Sequence, residues 1–442
     1  MQEDFLTPAA VLEADLTWTG SRFERGVRIA IDEAGRIEAV GALEATPTRR
    51  LPRRALVPGL VDAHSHAFQI GLRGRPEGFS SGAGSFWTWR DAMYELVGSL
   101  DPVRFRDLCV RAFREMRDAG ITAVGEFHYL HHATDERDGS FDTVVLDAAA
   151  EVGIRLVLLQ SYYETGGIGR PLGPAQRRFA VGSVAKYWER FDRIAERIDP
   201  ATQSLGVAPH SIRAATLDDL AAVHAEARRR ALPVHMHVEE QRGEIEECIA
   251  AYGEPPIALL SRSLSSLEGL TAVHCTHTAR EHLESFVAAG GSVCICPLTE
   301  ANLGDGIPDL ADATGHLDRL CLGTDSNLRI AMSEEMRWLE YGQRLRREKR
   351  GVLADEEGCV GRSLLAIATQ GGAAALDIPA GAIARGYWAD LTALDLDAPE
   401  LRDCDEGALL DAWVFGSGDR AIAATCVGGR WRETGANAIA DR

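Results

Sequence analysis

Short apolar runs alternate with amphipathic stretches through most of this chain. Runs rich in β-branched residues predict buried strands, and apolar residues spaced three and four positions apart predict helices. The runs that fit a strand are residues 55–62, 122–127, 155–160, 204–208, 233–238, 270–275, 292–296 and 319–323. The amphipathic stretches include residues 105–119, 181–198, 217–231 and 280–289. Eight strands alternating with helices predict an α/β fold, namely a (β/α)8 TIM-type barrel.

Both ends of the chain follow another pattern. Short β-rich segments separated by turn residues occur at residues 11–12, 28–31, 37–40, 389–394, 413–415 and 422–427. Such short strands are typical of all-β units. We therefore predict one small β-sandwich domain from residues 1–57 and 385–442, beside a barrel of residues 58–384. The long segment after the first barrel strand, residues 71–99, predicts a lid over the barrel mouth.

The composition of the chain limits the kinds of partner that it can bind. The chain has 442 residues, 45% of them hydrophobic, and a net charge of −19, which argues against nucleic acid or an anionic membrane as partner. An anionic small-molecule substrate would therefore need a local cluster of Arg side chains. The nine cysteines include no CxxC pair, which predicts reduced thiols. Because no stretch resembles a leader peptide or a membrane span, we predict a cytoplasmic protein.

Residues typical of metal sites stand at four of the eight predicted strand ends. In a parallel barrel the carboxyl ends of the strands surround one mouth, where the chemistry of such folds gathers. His64 and His66 lie two positions apart, so their side chains share one face. The other three strand ends carry His235, His237, Glu240, His274, His277 and Asp325. Imidazole nitrogens with one carboxylate suit a divalent cation, and the spacing of His235 and His237 leaves open which of the two is a ligand.

These motifs resemble the amidohydrolase superfamily, specifically its deaminase branch, over nearly the whole chain. The matching strings are Pro58-Gly59-Leu60-Val61-Asp62-Ala63-His64-Ser65-His66, His237-x-x-Glu240, His274 and Gly323-Thr324-Asp325. The resemblance implies one divalent metal ion, Zn or alternatively Fe. It assigns the metal ligands as His64, His66, His237 and Asp325, and the catalytic residues as Glu240, His274 and Asp325. His237 is preferred over His235 because the His-x-x-Glu motif then places Glu240 as the proton shuttle. Strand four ends in Ala208-Pro209-His210-Ser211, without the Lys that bridges two metals in binuclear members.

Rarer strings narrow the resemblance to one group of deaminases. Residues 85–90, 125–132 and 335–344 are similar to the N-formimino-L-glutamate deiminases of histidine degradation, which convert formiminoglutamate and water to N-formylglutamate and ammonia. This resemblance implies a homodimer. It also implies substrate contacts from Gln69, Arg90, Tyr129, His210 and Arg213. Two substrate carboxylates call for Arg forks and neutral donors, which agrees with that set.

The resemblance also suggests a mechanism. The metal would lower the pKa of its bound water, Asp325 would accept the proton, and His274 would orient the resulting hydroxide. Glu240 would deliver a proton so that ammonia leaves. Such a carboxylic acid needs a raised pKa in a closed site.

Three alternatives stay open at this point. One is a related deaminase for guanine or cytosine, or a chlorohydrolase, which needs fewer basic residues at the mouth. Another is a deiminase for formiminoaspartate or a related formimino amino acid. The third is a barrel protein that has lost its metal, although every ligand is present in this chain. Asn327 differs from the formiminoglutamate deiminases, which usually carry His at this position. This difference concerns which substrate length the site accepts.

Overall fold

The computed structural model describes residues 10–75, 77, 86–134, 139–310 and 313–434. Its strands are β1 Ala10–Trp18, β2 Phe23–Glu24, β3 Arg28–Ile31, β4 Ile37–Gly41, β5 Arg49–Pro58, β6 Leu60–Ser65, β7 Ile121–His128, β8 Arg155–Tyr162, β9 Gln203–Pro209, β10 Val234–Val238, β11 Leu270–His274, β12 Ser292–Ile295, β13 Leu320–Leu322, β14 Leu391–Asp395, β15 Ile422–Val427 and β16 Arg430–Glu433. Its α-helices are α1 Phe86–Gly98, α2 Pro102–Asp118, α3 Ser140–Val152, α4 Val184–Ala195, α5 Leu217–Arg229, α6 Arg242–Tyr252, α7 Pro256–Ser263, α8 Arg280–Ala288, α9 Pro297–Leu303, α10 Met332–Arg347, α11 Val360–Ala366, α12 Gly372–Ala375 and α13 Leu409–Asp411.

The eight strands β6 to β13 form one parallel sheet in chain order. An isolated parallel pairing between Ser65 and Asp325 joins its last strand to its first. The prediction of a (β/α)8 barrel is therefore confirmed. These strands are almost entirely buried, as expected for parallel strands covered by helices on the outside.

Side chains at the helix starts explain where several of the barrel helices begin. Asp101, Ser183 and Thr216 precede α2, α4 and α5, and each accepts a hydrogen bond from a backbone N–H in the first turn. Such capping satisfies N–H groups that have no partner inside the helix. The cap residues are therefore local signals that the sequence itself supplies.

Strands from both chain ends pair in a second sheet. Its order is β4-β3-β1-β5-β14-β15-β16, with β2 paired to β1, so the predicted pairing of the two ends is confirmed as one mixed eight-stranded sheet. A buried ion pair connects this sheet to the barrel: Arg155 at the start of β8 donates to Asp390 at 2.6 and 3.1 Å. The boundaries at residues 57/58 and 384/385 stay predictions.

Two local predictions were wrong. The run 55–62 is not one strand, since β5 ends at Pro58 and β6 begins at Leu60. The break falls at Gly59, where a Cβ would lie 2.1 Å from the Thr122 Oγ1 atom. The second error is at Trp413, which lies in a π-helical turn, Ala412–Gly416, and not in a strand. Its ring is fully buried, so its burial and not its β-propensity accounts for an aromatic residue there.

The predicted lid is described only in part. The chain after β6 continues as a 3-10 helix, Ala67–Leu72, and α1 covers the end of the segment. Residues 76 and 78–85 lie outside the described residues. Among the helices that are described, none has both the length and the apolar character needed to cross a membrane.

Candidate metal centre

Four buried side chains converge inside the mouth of the barrel. They are His64, His66, His237 and Asp325, whose ligand atoms all lie within 4.8 Å of one another. The Nε2 atoms of His64 and His237 are 3.2 Å apart. The Nε2 atoms of His64 and His66 each lie 3.4 Å from Asp325 Oδ1. The structure thus brings together the four residues that the sequence analysis selected as metal ligands.

Backbone carbonyls fix the orientation of two of these rings. His66 Nδ1 lies 2.8 Å from the Phe127 carbonyl, and His237 Nδ1 lies 3.0 Å from the His210 carbonyl. A carbonyl only accepts, so each Nδ1 must carry the hydrogen. The Nε2 atoms of His66 and His237 are then left with a free lone pair directed into the cluster, which is the usual arrangement around a bound metal.

The electrostatics of the cluster favour neutral imidazoles beside an ionised carboxylate. Burial lowers the pKa of His64 to about 3, and it lowers the pKa of His66 and His237 as well. Burial raises the pKa of Asp325, but His64, His274 and His66 outweigh it and hold that pKa well below the usual range. Metal ions require this protonation state of their ligands. The donor set therefore fits a divalent cation with three nitrogens and one oxygen.

His235, the competing histidine of the same strand, is held elsewhere. Its Nε2 lies 2.8 Å from the carbonyl of Ala375 and must donate to it. His235 is fully buried and is not part of the four-residue cluster. The geometry therefore agrees with the preference for His237.

His274 faces the cluster from the end of β11. Its Nε2 lies 3.9 Å from Asp325 Oδ2, and its Nδ1 donates to Glu300 Oε1 at 3.2 Å. Burial lowers the pKa of His274, but the surrounding carboxylates of Glu240, Glu300 and Asp325 raise it to about 10. His274 is thus a cationic donor at the rim of the site.

Glu240 shares this part of the cavity. Burial raises its pKa, while the charges of His274 and Arg213 lower it. A carboxyl group with a raised pKa holds a proton at a higher pH than an exposed one does. Glu240 is therefore suited to deliver a proton inside a closed site.

The backbone is strained where the strands deliver these residues. His274 has a φ of 77° and Asp325 a φ of 48°, and Glu239, which precedes Glu240, has a φ of 53°. Residues with side chains rarely adopt this left-handed region. Such conformations cluster at functional sites, where the surrounding structure holds them in place.

All five predicted substrate residues line the cavity above the cluster: Gln69, Arg90, Tyr129, His210 and Arg213. Gln69 Nε2 donates to the Tyr129 hydroxyl at 2.8 Å. Arg213 Nη2 lies 3.7 Å from Glu240 Oε2. The predicted residues therefore share one cavity with His66, His237, His274 and Asp325.

Several residues that contribute to the site are marked by no motif in the sequence. Glu300, which holds His274, lies in the first turn of α9, directly after strand β12. Its position just past a strand end was the signal that could have found it. Further cavity residues were also missed, among them Tyr94, Tyr163, Arg170, Gln176 and Glu244. They lie in loops and helices beyond the strand ends, where no motif marks them.

A second group of histidines forms a network with a charged partner. His128 Nε2 and His131 Nδ1 lie 2.8 and 3.0 Å from Asp142 Oδ1. The other carboxylate oxygen of Asp142 accepts from Arg190, and His131 Nε2 lies 2.9 Å from the Ser161 carbonyl. Because Arg190 already supplies the positive charge and both His131 nitrogens are engaged, this cluster is a hydrogen-bonded structural network.

Asn327, the departure noted in the sequence, lies outside the cavity lining. Its Nδ2 donates to Ser65 Oγ at 3.0 Å, and its Oδ1 accepts from Thr324 Oγ1 at 2.7 Å. Ser65 Oγ in turn donates to Glu126 Oε2 at 2.9 Å. The Asn327 amide therefore connects the end of the eighth barrel strand to the end of the first.

Comparisons with known proteins agree with the fold. The chain is similar to formimidoylglutamate deiminase from Pseudomonas aeruginosa, with 40% identity over 383 residues, or 85% of this chain and 84% of that protein. It is less similar to 5-methylthioadenosine/S-adenosylhomocysteine deaminase from Pyrococcus furiosus, with 27% identity over 78% of this chain and 76% of that protein. A crystal structure of an amidohydrolase from Brucella melitensis superposes with a TM-score of 0.87 at 33% identity, covering 98% of this chain and 97% of that one.

The family follows from the extent of one match. The model of the amidohydrolase family matches residues 55–432, a span that includes the whole barrel and the four clustered side chains. The chain belongs to the amidohydrolase family.

Proposed function

We propose that this protein is a metal-dependent deiminase that hydrolyses N-formimino-L-glutamate to N-formyl-L-glutamate and ammonia. The observation that carries the proposal is the cavity that His66, His237, Asp325, His274 and Glu240 share with the two arginines Arg90 and Arg213. The similarity to the Pseudomonas aeruginosa enzyme supports the same substrate. A cytoplasmic location and a homodimer, both expected from the sequence, are part of the proposal.

His64, His66, His237 and Asp325 would hold one divalent cation, and we propose Zn because nitrogen-rich sites of this kind suit it. When bound, such a cation supplies Lewis-acid chemistry and lowers the pKa of a coordinated water toward neutrality. Side chains of the protein carry out the remaining steps.

The attacking water must lose one proton as its oxygen bonds to the formimino carbon. Asp325, whose pKa is held low, is ionised and accepts that proton. His274, fixed by Glu300 and cationic, stabilises the negative charge that develops on the attacking oxygen. Both groups are in place before the reaction, so little reorganisation is needed.

The leaving nitrogen must gain protons before it departs as ammonia. Glu240 faces this part of the cavity, and burial raises its pKa. It delivers one proton to the nitrogen, the second comes from the hydroxyl of the tetrahedral adduct as the C–N bond breaks, and the proton held by Asp325 restores Glu240. The carbon keeps the new oxygen as the formyl carbonyl, so one water is consumed and one ammonia released.

The substrate tail carries two carboxylates, and the cavity offers cationic and neutral donors for them. Arg90 lies in α1, and Arg213 follows strand β9. Tyr129 and Gln69, joined by their hydrogen bond, supply neutral groups in the same cavity. Arginine pairs with carboxylates through two parallel hydrogen bonds, which gives geometric selectivity as well as affinity.

The test is ammonia release by the metal-loaded enzyme from three compounds: N-formimino-L-glutamate, N-formimino-L-aspartate and guanine. The proposal predicts turnover of the first with a kcat/KM at least 100-fold above that of either other compound, within the range that differential binding of charged groups provides. Preferential turnover of formiminoaspartate would contradict the proposed length of the substrate, and turnover of guanine alone would contradict the proposed substrate class.

A further inference from the structure

Glu244 is a buried carboxyl group that faces the substrate cavity. It lies in the first turn of α6, with 2% of its surface exposed, and it lines the same cavity as Arg213 and Glu240. Within the described part of the chain, neither of its carboxyl oxygens has a hydrogen-bond partner. A buried polar group without a partner is costly, so a bound molecule is expected to supply one.

The guanidinium group of Arg213 lies close to Glu244. Arg213 Nη2 lies 3.9 Å from Glu244 Oε2 and 3.7 Å from Glu240 Oε2, so one guanidinium faces two carboxyl groups. Both distances exceed a hydrogen bond. Among the described residues, Arg213 Nε also has no partner. The three side chains therefore surround a position that a further polar group can fill.

The charges of Arg213, Glu240 and Glu244 restrict which polar group can fill this position. Were both carboxyl groups ionised, the single positive charge of Arg213 would be exceeded, and a substrate carboxylate placed beside them would be repelled. A neutral Glu244 has an O–H to donate, and a carboxylate only accepts. A carboxylic acid beside an arginine thus presents donors to a carboxylate from two directions.

We propose that Glu244 is a specificity-determining residue, which as a carboxylic acid donates a hydrogen bond to the substrate carboxylate that Arg213 binds. This inference rests on the proposed function, since it takes a dicarboxylate as the substrate. It assigns the carboxylate nearest the reaction centre to this position, because Arg213 also approaches Glu240.

The surroundings of Glu244 support a neutral form. Burial raises its pKa to about 7, against the opposing charge of Arg213, and Glu240 and Glu239 contribute to the increase. His274 lowers that pKa slightly. Cys248 and Glu247 of the same helix are also ionisable, and Arg170 pairs with Glu247 at 2.8 Å. Near neutral pH the acid form is therefore accessible, and binding of an anion beside it favours that form further.

The experiment measures KM and kcat for N-formimino-L-glutamate with the metal-loaded wild type, Glu244→Leu, Glu244→Gln and the control Glu246→Gln. Glu246 is an exposed residue of the same helix. Thermal unfolding of each variant establishes that it is folded. Glu244→Leu should raise KM roughly 10- to 100-fold, the loss of one hydrogen bond to a charged group, with a much smaller change in kcat. Glu244→Gln, which keeps a donor, should restore most of the affinity.

The pH dependence supplies a second readout. The wild-type KM should rise roughly tenfold between pH 7 and 8.5 as Glu244 ionises, whereas the KM of Glu244→Gln should lack that rise. The inference is overturned if Glu244→Leu leaves KM unchanged. It is also overturned if Glu244→Gln binds more tightly than wild type throughout this range, since Glu244 would then be an ionised counter-ion of Arg213. If the wild type releases no ammonia at all, the proposed function falls and this inference falls with it, whereas normal turnover with an unaltered KM rejects only the role of Glu244.

Discussion

The backbones of Asp325 and His64 are hydrogen bonded where the barrel closes. The Asp325 amide donates to the His64 carbonyl at 2.9 Å, and the Asp325 carbonyl accepts from the His66 amide, also at 2.9 Å. These bonds carry the parallel pairing past the end of strand β13. Because the same bonds close the barrel and position three of the four clustered side chains, the geometry of the metal centre depends directly on closure of the fold.

Replacing His237 should remove the metal. The change His237→Ala takes away one of four converging donors, and we expect bound divalent metal to fall at least tenfold. Mutating a residue that only supports a metal ligand typically lowers metal affinity roughly 10- to 100-fold, and losing a ligand itself costs more. Elemental analysis of the purified protein measures it. The matched control is His235→Asn, two residues earlier in the same strand, which should keep its metal since His235 bonds to Ala375. Equal metal loss in both variants would contradict the assignment.

Replacing Glu240 by Gln should stop turnover and leave the metal in place. The amide cannot deliver a proton, so kcat should fall roughly 10²- to 10⁴-fold. Steady-state ammonia release measures the rate, and elemental analysis confirms occupancy. Glu246→Gln, on the exposed face of the following helix, is the control and should behave as wild type. Full activity of Glu240→Gln would reject the proton-delivery role.

Replacing Arg213 tests whether the substrate is a dicarboxylate or a nucleobase. The change Arg213→Met removes a half-buried guanidinium group from the cavity, and KM for N-formimino-L-glutamate should rise roughly 100-fold, since hydrogen bonds between charged groups are the strong ones. The exposed Arg193 provides the control Arg193→Met, for which no change is expected. A KM indifferent to Arg213→Met would instead favour a substrate without carboxylates.

His224 should make the fold sensitive to acid. It is buried in α5, and neither ring nitrogen has a hydrogen-bond partner within the described residues. Burial, assisted by Arg228, lowers its pKa from 6.5 to about 4. The folded state therefore holds it neutral while the unfolded state binds a proton. The stability linked to this group is present above pH 6.5 and is lost as the pH falls toward 4.

The variant His224→Leu tests this linkage. It should raise the free energy of unfolding at pH 7 by about 1 kcal/mol, because an unpaired buried polar group is replaced by an apolar one. Its stability should also decline less steeply than that of the wild type as the pH falls from 6.5 to 4. Urea denaturation at a series of pH values measures both effects, and parallel pH profiles of the two proteins would contradict the prediction.

The fold class could be predicted because its signals are local. Alternating apolar runs and amphipathic stretches decide between strand and helix over a few residues, and parallel strands in series leave few topologies. The site residues at strand ends could be predicted for a related reason: in a parallel barrel the position along each strand also decides the position in space. His64, His66 and Asp325 needed no further information to be placed at one mouth.

Other features were decided by contacts between residues far apart in the chain. The spacing of His235 and His237 along β10 does not distinguish them; the carbonyl of Ala375, 140 residues later, holds His235, in agreement with the preference that the His-x-x-Glu motif gave to His237. Glu244 reaches the cavity from helix α6, and Glu300 holds His274 from helix α9; the positions of both helices depend on packing against the barrel. Local periodicity was thus enough to predict the barrel and the donors at its rim. Which donors meet, and which carboxyl groups are buried beside them, depends on packing, because burial and distance are properties of the packed chain.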